Sequence, residues 1–153
     1  MVVALAMILS FIESRLPTFV PIPGIKVGLA NIAIVFALYK LGKWESLVVS
    51  IVRVVLVSIL FGNAVSLWYS LAGATLSLIL MILLKSFTPL STVTISTVGG
   101  IAHNIAQIGV ACILLETDLI TYYLPFLLIS GTIAGIAVGT AGAMLVKRVR
   151  IRW

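Results

Sequence analysis

The chain is short of the residues that most chemistry requires. Its 153 residues include one cysteine and one histidine, and charged residues make up 9% of the whole. The lone Cys112 excludes an intrachain disulfide, a CxxC redox pair and a multi-cysteine zinc site; in its apolar segment it reads as packing. There is no glycine-rich loop followed by Lys-Ser/Thr, so ATP cannot be held in that manner. With 62% hydrophobic residues and so little charge, no water-exposed globule can be covered in polar surface. The net charge of +6 is spread along segment ends, with a cluster only at the C-terminus, which is a membrane-topology pattern and weighs against nucleic acid as a partner.

What is present is a succession of apolar runs, read as one domain: an all-α integral membrane bundle of six transmembrane helices. The first run, Met1 to about Leu16, lacks a basic n-region and carries Glu13 and Arg15 where a signal peptide needs a small-residue cleavage site, so it reads as a helix. Ala6, Ser10 and Ser14 recur on it every fourth position, a strip that lets another backbone approach. The following LPTFVPIPG holds three of the five prolines, which remove backbone donors and disfavour helix before them; the segment is an irregular connection, either a lid or a tight crossover at the headgroups. The second helix, about Lys26 to Leu41, is roughly 24 Å long, less than a hydrocarbon core of about 30 Å. Further helices are expected at about Glu45–Phe61, Ala64–Leu84, Val93–Leu115 and Tyr122–Lys147. In the fourth, Ser66, Ser70, Gly73 and Ser77 form a small-residue stripe, and in the sixth Gly131, Gly135 and Gly139 permit close helix contact.

Polar groups inside these runs need partners, because lipid offers none. The stretch Gly99–Gln107, GGIAHNIAQ, contains the chain's only His and only Gln and places Gly100, His103, Gln107 and Ala111 on one helix face, with Asn104 at its edge. Arg53 falls near the middle of the third helix on a face with Ser46 and Ser50. Arginine does not shed its proton, so it must find an anion, carbonyls or water. The alternatives are a structural pairing with backbone carbonyls, Glu13 or Glu45, and a ligand carboxylate or phosphate. Asn31, near the end of the second helix that carries Lys26, bonds either a neighbouring helix or a ligand.

Six helices put both termini on one side. If that side is cytoplasmic, the inner ends collect Lys40, Lys43, Lys85, Lys147, Arg148, Arg150 and Arg152, and the outer ends only Arg15 and Lys26, in accord with the positive-inside rule.

Five stretches in order, KVGLANI after the proline-rich loop, IVRVVLVSILFG, WYSLAGATLS, GGIAHNIAQ and YLPFLLISGTIAG, resemble the Gx transporter family, also labelled heptaprenyl diphosphate synthase component I, over nearly the whole chain. That family is similar to the six-helix S components of energy-coupling factor (ECF) transporters. The resemblance implies a subunit that captures a vitamin-like molecule from outside and docks on a transmembrane coupling subunit driven by ATPase subunits. Docking in those proteins uses an alanine-x-x-x-alanine motif on the first helix; here the nearest match is Ala6 with Ser10. The enzymatic label fits the residues poorly. Prenyl diphosphate synthases hold pyrophosphate through magnesium on aspartate-rich clusters, whereas this chain has one aspartate, Asp118, and three scattered glutamates. A Ser-His-Asp arrangement would join His103 at mid-membrane to Asp118 outside it.

The expectation is therefore a membrane substrate-binding subunit in the lipid bilayer of the cell membrane, not an enzyme, and without cofactor or metal. A small anionic or aromatic substrate would enter beneath the proline-rich loop, meet Arg53 and Lys26, and be oriented by Asn31, His103, Asn104 and Gln107. Ala6 and Ser10 would touch the coupling subunit. The competing readings are a non-catalytic membrane partner of a polyprenyl or quinone biosynthetic enzyme, and a structural subunit whose polar residues only fix helix register.

Overall fold

The computed structural model describes residues 1–15, 28–62, 64–116 and 118–149. Lys26, the proline-rich connection, Arg150 and Arg152 lie outside the described residues. Within them the chain forms α1 (Val2–Arg15), α2 (Leu29–Lys40), α3 (Lys43–Phe61), α4 (Ala64–Phe87), α5 (Thr92–Leu115) and α6 (Leu124–Arg148), the last preceded by a 3-10 turn at Leu119–Tyr123. The all-helical bundle matches the sequence reading. The boundaries follow local chemistry. Gly28 takes a left-handed φ of 77°, so α2 begins at Leu29 rather than near Lys26. At the start of α5, Ser91 Oγ accepts from the Thr94 backbone N–H at 3.2 Å, a side-chain cap. Pro125 sits in the first turn of α6, where its missing N–H costs nothing.

Lys43–Phe61, Leu67–Phe87, Thr92–Leu114 and Leu119–Arg148 are long and apolar enough to cross a membrane, and Val2–Glu13 and Leu29–Lys40 are shorter apolar helices. The chain is a multi-pass membrane protein. The short α2 is the buried one: Ala30 and every residue from Ala33 to Leu38 are buried, enclosed by α1, α3 and α6. A helix apolar all round is stable only when surrounded in this way. Its two ends are closed by side chains from other helices. At the N-terminal end the Glu13 carboxylate of α1 accepts from the Gly28 backbone N–H. At the C-terminal end Lys85 of α4 donates to Leu38 O at 2.6 Å, its ammonium 4.7 Å from the centre of the Tyr39 ring. An acid at the positive end and a base at the negative end both complement the helix dipole.

α5 and α6 make the most extensive pairing in the bundle, and glycine permits it. A Cβ added at Gly100 would lie 2.5 Å from Gly131 O, one at Gly135 2.6 Å from Thr97 Cα, and one at Gly139 2.8 Å from Val93 Cα. The backbones meet where side chains are missing, as the four-residue glycine spacing of α6 predicts. Gly109 faces the other way, with nothing within 4 Å of an added Cβ.

Gly100→Ala is expected to destabilise the bundle by about 1–3 kcal/mol through overpacking. Gly109→Ala is expected to be neutral or to stabilise by up to about 1 kcal/mol through helix propensity. Unfolding of the two variants in detergent, side by side, checks both.

Candidate functional site

His103 and Gln107, one turn apart on α5, face inward together. The His103 ring packs over Gly73 of α4, where an added Cβ would stand 2.8 Å from its Cε1; the glycine leaves the space that the ring occupies. α3 brings Arg53 to the same place, α1 brings Ser10 and Glu13, α2 brings Asn31 and α4 brings Ser70. These side chains border a cavity of about 160 Å³. It holds several waters or a small polar molecule, but is below the roughly 300–1,000 Å³ of pockets for drug-sized ligands. A void of about 40 Å³ adjoins it, sharing Gly28, Asn31 and His103 and reaching α6 at Gly131 and Gly135. The larger cavity lies toward the end of the bundle where α1 and α3 finish and α2 begins. The opposite end gathers Lys40, Lys43 and Lys85, as the Lys85 bond to Leu38 O and the repulsion of Lys85 by Lys43 show.

Elsewhere in the spans, hydroxyls return to their own helices. Thr97 donates to Val93 O at 2.8 Å, Thr132 to Leu128 O at 2.8 Å and Thr140 to Ile136 O at 2.7 Å, which is the usual solution where water is absent. The cavity is different. Among the described residues, the buried atoms Ser10 Oγ, Arg53 Nε and Gln107 Oε1 have no hydrogen-bond partner, although Ser10 and Gln107 are only 5% and 7% exposed. Buried polar atoms without partners cost about 1–3 kcal/mol each, so a cluster of them in one void marks a place for water or for a polar ligand. Glu13 is the charge that acts on the Arg53 guanidinium, yet it bonds Gly28, and the two do not form a salt bridge.

The structure brings Asn31, Arg53, His103 and Gln107 to one cavity. Asn104 departs from that group. Its amide donates to Leu127 O of α6 at 2.5 Å and borders only the smaller void. Lying at the edge of the His103 face, it is rotated toward α6 and serves the α5–α6 seam. Ala6 and Ser10, expected to meet a coupling subunit, are turned inward: Ala6 is 0% exposed within the apolar core and Ser10 borders the cavity. As placed, neither offers surface to another protein. Glu45 is exposed in the first turn of α3, beside Gly42, and so is no partner for Arg53. Lys26 lies outside the described residues. The sequence offered Glu13 as a structural partner for Arg53 but not as part of the cavity wall. The signal was its place three residues after Ser10, which puts both on one face of α1.

The family model described as heptaprenyl diphosphate synthase component I matches residues 2–145. No curated protein and no solved structure matches the chain.

Two substitutions separate the cavity from the seam. Asn104→Ala removes the amide hydrogen bond across the α5–α6 seam while Leu127 O keeps the Ser130 hydroxyl, and is expected to cost about 0.5–1.5 kcal/mol. Arg53→Met removes a guanidinium whose Nε has no hydrogen-bond partner and is expected to be roughly neutral for the ligand-free protein, since relief of desolvation offsets the lost attraction of Glu13. Denaturation of the purified variants in detergent checks both; a large loss with Arg53→Met would make the arginine structural.

Proposed function

The chain belongs to the heptaprenyl diphosphate synthase component I family, and from that premise we propose that it is a non-catalytic membrane subunit that binds a small polar molecule between its helices for import. The observation that carries this reading is the convergence of Ser10, Arg53 and Gln107 from three helices on one cavity, each with a buried polar atom left unbonded. In this reading Arg53 meets an anionic group of the ligand, and Asn31, His103 and Gln107 orient its polar atoms. The likeness to ECF S components supplies the rest: a transmembrane coupling subunit with ATPase subunits provides the energy, since the chain carries no phosphate-binding loop. Basic residues at the end remote from the cavity support placing that end and both termini in the cytoplasm of a cell membrane, with the cavity toward the outer face.

A second reading is favoured by the description of the matched family: a membrane partner of an enzyme of polyprenyl diphosphate or quinone synthesis, presenting a lipidic intermediate to it. The chain's four acids, one of them aspartate, support leaving any magnesium-dependent chemistry to that partner.

Mass spectrometry of small molecules that co-purify with the protein distinguishes the two readings. A water-soluble compound is expected; a polyprenyl or quinone species would favour the second. Arg53→Ala is expected to weaken binding of the co-purified compound by about 10- to 100-fold, because a hydrogen bond to a charged group is worth about 1.5–3 kcal/mol. Unchanged binding would remove the arginine from the site.

A further inference from the structure

Two opposite charges border the same cavity from different helices, Arg53 on α3 and Glu13 on α1, and the fold keeps them out of a salt bridge. Glu13 is committed to α2: its Oε1 accepts from the Gly28 N–H, so the carboxylate is pinned where it closes that helix. Its charge still acts on Arg53. Arg15, the next basic residue on α1, is exposed with its guanidinium 5.1 Å from the Phe11 ring centre, and does not border the cavity. Besides His103, the described wall carries one guanidinium and one carboxylate.

We infer that the occupant of this cavity is a small zwitterion, its anionic group on Arg53 and its ammonium on Glu13. The inference rests on the reading of the cavity as a ligand site and narrows it. A plain anion drawn to Arg53 is repelled by Glu13, and a plain cation meets the reverse. Screening over about 8 Å does not separate charges that border one small cavity, so each occupant is subject to both. A molecule carrying both charges gains from both walls. The remaining unbonded atoms fit the same class. Gln107 Oε1 is an acceptor and Ser10 Oγ accepts as well as donates, while an ammonium brings three donors; the Arg53 guanidinium has donors only and requires an anion.

The test uses three probes of one three-carbon skeleton: β-alanine with both charges, propionate with the negative one and propylamine with the positive one. Binding is measured by calorimetry to the full chain in nanodiscs of phosphatidylglycerol, whose headgroup has no cationic group. β-Alanine is expected to bind at least about tenfold more tightly than either relative. Glu13→Gln keeps an acceptor for the Gly28 N–H, so α2 remains closed while the charge is lost; in this variant the advantage of β-alanine over propionate is expected to fall to within about twofold. Repetition in phosphatidylethanolamine discs identifies the source of the zwitterion. Suppressed β-alanine binding there points to the lipid headgroup and undiminished binding to a soluble molecule, and both keep the class. Propionate binding as well as β-alanine in the unsubstituted protein, with both lost in Arg53→Ala, would overturn the zwitterion and leave the ligand site standing. Absence of binding by all three probes would overturn both.

Discussion

The backbone ends of a short buried helix are the polar groups this bundle has to satisfy first. α2 is enclosed by α1, α3 and α6, and at twelve residues, roughly 18 Å, it does not reach both faces of a bilayer core. Its terminal N–H and C=O groups therefore need partners from other helices. Glu13 answers at one end and Lys85 at the other. Each charge is stabilised by the helix end that it closes.

The Glu13 contact has a consequence for Arg53. Glu13 accepts from the Gly28 N–H through Oε1 and forms no salt bridge with Arg53, and the arginine keeps an unbonded Nε beside the unbonded atoms of Ser10 and Gln107. The rest of the interior shows that this fold readily satisfies its polar groups, through hydroxyls bonded within their own helices and Asn104 bonded to α6. The cavity lies where that internal satisfaction stops, and its position beside the start of α2 follows from where the helix cap sits. Gly73 adds to it by leaving room for the His103 ring.

Helix number was legible in the sequence because lipid demands apolar runs, and the runs were interrupted by proline, glycine and charge; the extent of α2 was not, because left-handed Gly28 starts it at Leu29. The placing of Arg53, His103 and Gln107 at one cavity followed from the same logic: a polar residue in an apolar run faces inward. Asn104 was less legible. A residue at the edge of a helical face is directed by whichever neighbour packs there, and the sequence does not say that α6 approaches so closely at Gly131. Ala6 and Ser10 mark a limit of small-residue stripes, whose spacing signals close packing but not whether the partner belongs to the same chain. Glu13 sits near a helix end, where a charge ordinarily meets headgroups, and nothing local shows that another helix begins beside it.

The central claim is that the Glu13 cap on α2 leaves Arg53 available to a molecule from outside the chain. An experimental density map of the protein purified from its native membrane tests it most directly. Non-protein density is expected in the cavity within hydrogen-bonding distance of the Arg53 guanidinium and Gln107 Oε1, with Glu13 still on the Gly28 N–H. A closed cavity in which Glu13 has left Gly28 and paired with Arg53 would contradict it.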